Sequence, residues 1–163
     1  MRDNSRVTAL RVRPSALPLD DVSKAIIEQL QEDGRRPYAT IGRAVGLSEA
    51  AVRQRVQKLL EANVMQIVAV TDPLQIGFHR EAMIGINADG DLDEVGTALC
   101  EIDDVDYVVI TAGSFDLVCE VLAVDDDHLL EILRRIRGIP GVRQTESFMY
   151  LKLKKQTYNW GIR

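Results

Sequence analysis

Residues 37–60 read PYATIGRAVGLSEAAVRQRVQKLL, and two short helices separated by a tight turn are written into that stretch. Proline is tolerated in a first helical turn, where its missing N–H would have no partner, so the first segment is expected to run from Pro37 to Val45 and stop at Gly46. Ser48 then stands where a hydroxyl can accept from the free amides of a new first turn. Beyond it, Val52, Val56, Leu59 and Leu60 recur at i, i+4, i+7 and i+8, the spacing that gathers apolar side chains on one stripe of a helix. Upstream, Asp20 or Asp21 can cap an earlier helix reaching about Glu32, with Val22, Ala25, Ile26 and Leu30 on one face and Gly34 past its end. Three short helices with a glycine turn between the last two predict a helix-turn-helix.

With its stripe turned inward, the third helix presents Ala50, Gln54 and Gln57 outward, flanked by Arg53 on one side and Arg55 and Lys58 on the other, at ~100° per residue. That division suits a major groove. Gln54 can bond the N6 and N7 edge of adenine, Ala50 or Ala51 can meet a thymine methyl, and the cations can reach phosphates. Residues 34–58 hold six cations, Arg35, Arg36, Arg43, Arg53, Arg55 and Lys58, against the single acid Glu49, a local charge of +5 suited to a polyanion. The candidate DNA-binding set is therefore Arg35, Arg36, Ser48, Ala50, Arg53, Gln54, Arg55 and Lys58. Over the whole chain the charge is −5, yet residues 1–72 carry 11 Lys+Arg against 9 Asp+Glu while residues 73–163 carry 9 against 16. The two halves are expected to meet different partners.

Outward from the helix-turn-helix, residues 64–70 turn to β-formers and read as a linker strand broken at Asp72-Pro73. Strand-like residues 82–88 then precede a helix at 91–102 and a strand at 105–112; strand-like residues 115–124, a helix at 126–137 and a strand at 142–154 repeat the order. Two tandem βαβ units predict a ferredoxin-like sandwich. The fold class is thus α+β, a winged-type helix-turn-helix followed by a ferredoxin-like βαββαβ unit. The expected divisions are a flexible basic arm at 1–18, the helix-turn-helix at 19–63, the linker strand at 64–79, an effector-binding and oligomerisation domain at 80–155 and a tail at 156–163. Helices cover only one face of such a sheet, yet Tyr107-Val108-Val109-Ile110 and Leu117-Val118-Cys119-Glu120-Val121-Leu122 are apolar on both sides. A second subunit is the economical cover, so a homodimer or larger assembly is expected.

The remaining motifs narrow the chemistry. At 163 residues, with 46% hydrophobic and 28% charged residues, the chain suits one ordinary domain or two small ones rather than a large enzyme scaffold. No apolar run approaches the ~20 residues that cross a bilayer, and no signal-peptide core follows the N-terminal arginines, so a cytoplasmic protein is expected. Cys100 and Cys119 lack CxxC spacing and read as reduced core residues; Asp125-Asp126-Asp127 opens a helix and reads as capping, not as a metal site. No nucleophile motif and no phosphate loop is present, and His79 and His128 fall next to element ends, so no catalytic residue and no cofactor is expected. Gly113-Ser114-Phe115-Asp116 is different in kind. Glycine-loop amides suit a carboxylate and the neighbouring aspartate an ammonium, together matching an amino-acid zwitterion, while Thr145 and Ser147 share a face of the last strand with Met149.

In order and spacing, Leu19-Asp20, Val45-Gly46-Leu47-Ser48, Arg55-Val56-x-x-Leu59, Gly113-Ser114-Phe115-Asp116 and Pro140-Gly141-Val142 resemble the Lrp/AsnC, or feast/famine, transcription regulators from Leu19 to about Lys155. The resemblance implies a helix-turn-helix joined by a strand to an effector domain, dimers formed through the sheets and often octamers, and amino acids or related metabolites as effectors. It also implies that the effector lies between dimers, around Gly113, Ser114, Phe115 and Asp116 and the hydroxyls of Thr145 and Ser147. Ser23, Pro37 and Gly42 depart from the family pattern, and Gly42 is expected to interrupt the second helix at a cost of ~1 kcal/mol relative to alanine unless it permits close packing. Gln144 and Glu146, beside the implied pocket, leave the ligand unnamed. Two other readings stand beside the regulator: an architectural DNA-binding protein without a ligand, and an enzyme, since sirohaem decarboxylases resemble this family in fold.

Overall fold

Helix α1 (Asp21–Glu32) begins where the Asp20 carboxylate accepts from the Ser23 amide at 2.8 Å. The computed structural model describes residues 19–158; the arm expected at 1–18, and Trp160 in the tail, lie outside the described residues. Helices α2 (Tyr38–Val45) and α3 (Glu49–Glu61) follow, and Ser48 caps α3 by accepting from the Ala51 amide at 3.2 Å. Ile26, Leu30, Ile41, Val52 and Val56 form their common core, so each predicted stripe faces inward.

All three departures from the family pattern have a local physical cause. Pro37 offers no side-chain cap, but its carbonyl accepts from the amides of Thr40 and Ile41 at 2.8 and 3.1 Å. Ser23 is buried against α3 and bonded there by Arg55. Gly42 does not interrupt α2, which runs through it. A Cβ at that position would sit 2.5 Å from the Leu47 carbonyl oxygen, so the glycine is what lets the turn fold back onto α2. Gly46 ends the helix at φ +74°, a left-handed conformation that glycine adopts without steric cost.

No described residue after α3 in this unit forms a strand, so neither a wing nor the linker strand expected at 64–70 is formed by the single chain. A strand is stable only with a ladder partner for its N–H and C=O groups. Ile67 and Val68 are exposed here.

The second unit, Val70–Lys154, opens with a 3-10 turn at Pro73–Gln75 capped by Asp72. It continues as β1 (Arg80–Ala88), α4 (Leu92–Cys100), β2 (Val105–Ile110), β3 (Leu117–Ala123), α5 (Asp126–Arg137) and β4 (Val142–Met149). The sheet order is β2-β3-β1-β4 and every adjacent pair is antiparallel, the ferredoxin-like arrangement expected. Ala82, Ile84, Ile86, Leu117, Cys119 and Val121 face α4 and α5, which contribute Val95, Leu99, Ile132 and Ile136. The last strand stops at Met149 rather than running to 154, with one further backbone bond, from the Tyr150 amide to the Glu81 carbonyl at 2.9 Å, beyond its end. Cys119 is core, as expected, but Cys100 is exposed: it follows Leu99 on α4 and is rotated off the buried stripe. Asp125 caps α5 through the His128 amide at 2.8 Å and Asp126 pairs with Arg80, which gives two of the three aspartates structural partners.

The face away from the helices carries Met83, Tyr107 and Phe148, each more than a third exposed. Glu120 lies among them and accepts from the Tyr150 hydroxyl at 2.6 Å. Burial, then the hydrogen bond to Glu120, pushes the Tyr150 phenol well above the ordinary tyrosine range.

Candidate DNA-binding surface and effector site

Ala50, Arg53, Gln54 and Lys58 all stand exposed on α3, with the Ser48 cap holding the helix start. Arg53 is steadied twice: its Nη2 donates to Glu49 Oε1 at 2.8 Å, and its guanidinium lies 5.3 Å from the Tyr38 ring centroid. Arg36 donates to Gln29 Oε1 at 2.6 Å and pairs with Glu32 at 3.0 Å, behind the end of α1. Arg35, Arg43 and Lys58 form no ion pair among the described residues. The six cations of residues 34–58 therefore divide into those held by an acid and those without an ion pair among the described residues.

Arg55 departs from its expected place among the outward cations. Its Nη1 donates to Asp20 Oδ2 at 2.7 Å and to Ser23 Oγ at 3.1 Å, closing a strap from α3 to the start of α1. Hydrogen bonds from Ser23 and then Arg55 hold the Asp20 carboxyl down at about 2. One carboxylate thus caps α1 and anchors the recognition helix. Between them lies a 380 Å³ cleft lined by Asp20, Ser23, Gln54, Arg55 and Lys58 among others. Sequence reasoning had Asp20 as a cap and missed the strap, whose partners lie 35 and 32 residues apart.

In the second unit the implied effector residues do not gather on one face. The loop between β2 and β3 turns over the sheet, with Phe115 packed on Gly85 and edge-on to Phe148 at 5.9 Å between centroids. Its groups are largely used internally. Asp116 Oδ2 accepts from the Ala88 amide at 2.9 Å, the Ser114 carbonyl accepts from Asn87 at 2.8 Å, and the Thr111 hydroxyl donates to the Phe115 carbonyl. Gly113 stands exposed with open space around it. Thr145 and Ser147 pair with Ile86 and Ile84 in register and so lie on the opposite, helix-facing side. Thr145 stands near the end of β1 that the loop flanks, while Ser147 lies opposite its middle, at Ile84.

Beside Thr145 is a hollow that sequence reasoning overlooked. It measures 270 Å³ and is lined by Arg137, Val142, Arg143, Gln144 and Thr145. Arg137 Nε donates to Thr145 Oγ1 at 2.8 Å, and Arg143 lies 3.8 Å from Asp89. A signal was available: Pro140-Gly141 returns the chain alongside the last turn of α5, so a cation there meets the strand only a few residues later.

Residues 19–60 match the model of the AsnC-type helix-turn-helix domain, and residues 78–163 that of the PF0864 C-terminal dimeric alpha+beta barrel domain. The chain belongs to the Lrp/AsnC family of transcriptional regulators. Among Lrp/AsnC relatives, the HTH-type transcriptional regulator FL11 of Pyrococcus horikoshii is 33% identical over 86% of this chain and 95% of its own length. The solved leucine response regulatory protein LrpA of Mycobacterium tuberculosis is 28% identical, with a TM-score of 0.75 or more, namely 0.78, over 85% of this chain and 96% of that one. The transcriptional regulator NMB0573 of Neisseria meningitidis, solved as a complex with L-Met, shares the fold at 22% identity and TM-score 0.75, covering 86% of this chain and 95% of that one. An Lrp/AsnC helix-turn-helix is a DNA-binding element, which agrees with the cation-flanked face of α3. Among the described residues, no helix is long and apolar enough to cross a membrane.

Proposed function

We propose that this regulator acts in the cytoplasm as a dimer or larger homo-oligomer, binds operator DNA sequence-specifically through α3, and is biased by an amino acid or related metabolite held by its second unit. The observation that carries the reading is the exposed array of Ala50, Arg53, Gln54 and Lys58 on a helix whose other face is fully committed to the core. Gln54 reads base edges and Lys58, Arg53 and Arg35 meet phosphates. Arg55 and Arg36 contribute by fixing the helices, through the Asp20 strap and the Glu32 pair. Dimeric binding puts two recognition helices in successive major grooves, ~34 Å apart, on a near-palindromic site.

The uncovered sheet face supports pairing of subunits, since Met83, Tyr107 and Phe148 form an apolar surface that a second copy would bury. The effector reading is supported by the loop and the Thr145 hydroxyl near one end of β1, and by the fold, on which NMB0573 was solved as a complex with L-Met. A ligand alters DNA binding only if it favours one assembly or geometry over another. The test is fluorescence-anisotropy titration of the DNA upstream of the protein's own gene, across a salt series, with and without a mixed amino-acid pool. Tight, salt-dependent binding shifted by the pool is expected. Tight binding with little sequence preference and no response to metabolites would replace this reading with an architectural protein, and no binding at low salt would overturn it.

A further inference from the structure

We propose that the hollow at the start of β4 is a dicarboxylate site, with Arg137 and Arg143 as its recognition groups; this rests on the reading of the second unit as an effector domain. Its walls decide the ligand's charge. Two guanidiniums, the Gln144 amide, the Thr145 hydroxyl and one apolar surface, Val142, line it, and no acid does. The nearest paired acid, Asp89, stands 3.8 Å from Arg143, long for a charge-assisted hydrogen bond.

Arg137 is pre-aimed. Its Nε donates to Thr145 Oγ1, which leaves its two terminal nitrogens without a protein partner among the described residues. The Thr145 oxygen accepts that bond, so its own proton is free to donate into the hollow. Arg143 is exposed and close by on the same strand end. A guanidinium presents a planar fork that matches a carboxylate bidentately, and two such forks around one cavity match two carboxylates.

A neutral amino acid fits this charge pattern poorly. Its ammonium would sit beside two cations with only the half-engaged Asp89 to balance it, whereas a diacid answers both arginines. The volume, 270 Å³, lies just below the ~300–1,000 Å³ typical of small-molecule sites, which limits the occupant to a short chain.

The experiment is calorimetric titration of the full chain with glutarate, L-leucine and inorganic phosphate in turn, repeated on R137Q, R143Q and the double variant. Far-UV circular dichroism and thermal melts establish that each variant is folded; because Arg143 lies at the surface, R143Q remains informative even if R137Q melts early. Glutarate is expected to bind, each single variant to weaken it at least tenfold, and the double variant to abolish it, with L-leucine and phosphate much weaker than glutarate. Equal glutarate binding by the folded double variant overturns the proposal, as does phosphate binding more tightly than glutarate. The anisotropy assay separates this outcome from the parent reading. If the amino-acid pool shifts DNA affinity while glutarate does not bind, the dicarboxylate assignment fails and the effector domain stands; if neither the pool nor glutarate shifts it, the effector reading itself fails.

Discussion

Replacing Gly42 with alanine sets two effects of opposite sign against each other. Alanine in a helix interior is favoured over glycine by ~1 kcal/mol, so propensity alone makes G42A stabilising. The new Cβ would, however, lie 2.5 Å from the Leu47 carbonyl oxygen, where ordinary contact begins near 3.4 Å. The neighbour is backbone in a tight turn, not the flexible end of a side chain, and it is tied in place by the 2.9 Å bond from the Leu47 amide to the Gly42 carbonyl. Overpacking of this kind costs roughly 1–3 kcal/mol, and straining that hydrogen bond adds about 1 kcal/mol. The clash wins, with a net loss of about 1–3 kcal/mol by these terms. Gly96, inside α4, provides the control, because its added Cβ would meet only Leu117 Cδ2 at 3.5 Å. Urea unfolding followed by circular dichroism is expected to show G42A destabilised and G96A neutral or stabilised by up to ~1 kcal/mol. If G42A proves as stable as the parent, the close approach of the turn to α2 is not what selects glycine there.

Three further outcomes follow from the same geometry. The Asp20 carboxyl is held below its unfolded value, so the stability it contributes is present above about pH 4 and is lost as pH falls toward about 2; D20N is expected to flatten acid unfolding across that window, and an unaltered acid limb would count against the strap. R53A and K58A are each expected to lower the salt slope of DNA binding by about one, whereas R55A is expected to act mainly by lowering the melting temperature; equal slopes for the parent, R53A and K58A would exclude α3 as the phosphate-contacting helix. Burial pushes the Cys119 thiol up to about 12 while Cys100 stands exposed, so a thiol reagent at pH 8 is expected to label Cys100 quickly and Cys119 only on unfolding; fast labelling of both would mean that β3 opens readily.

What was legible in the sequence was whatever a local period encodes. The stripe Val52, Val56, Leu59 identified the buried face of α3 because i, i+4 and i+7 lie on one side of any α-helix, and alternation put Thr145 and Ser147 on one face of β4 for the equivalent reason. Contacts that depend on how elements cross were not legible. Arg55 read as an outward cation by its angle on α3, yet α1 passes close enough for Asp20 and Ser23 to take its guanidinium. Gly42 read as a helix breaker because propensity tables describe an isolated helix, whereas the deciding contact comes from Leu47 after the chain has turned. The loop at Gly113–Asp116 was the hardest, since its side of the sheet depends on Phe115 finding the vacancy over Gly85, and nothing periodic encodes that.

The arginines of the two units are held in different ways, and the difference bears on what each can bind. On the helix-turn-helix, Arg36, Arg53 and Arg55 each pair with a carboxylate at 3.0 Å or less. Exposed pairs of this kind contribute only ~0–1 kcal/mol, so a DNA phosphate can replace an acid such as Glu49 at little cost, while the pairing keeps the side chain extended beforehand. The pairing also neutralises part of the +5 window, leaving Arg35, Arg43 and Lys58 as its charge without an ion pair among the described residues. At the start of β4, by contrast, Arg137 is steadied by a hydroxyl, which positions the guanidinium without neutralising it. An anion arriving there displaces no acid from Arg137. On the proposals made above, the same residue type serves exchange with phosphates in one unit and direct capture of a small anion in the other.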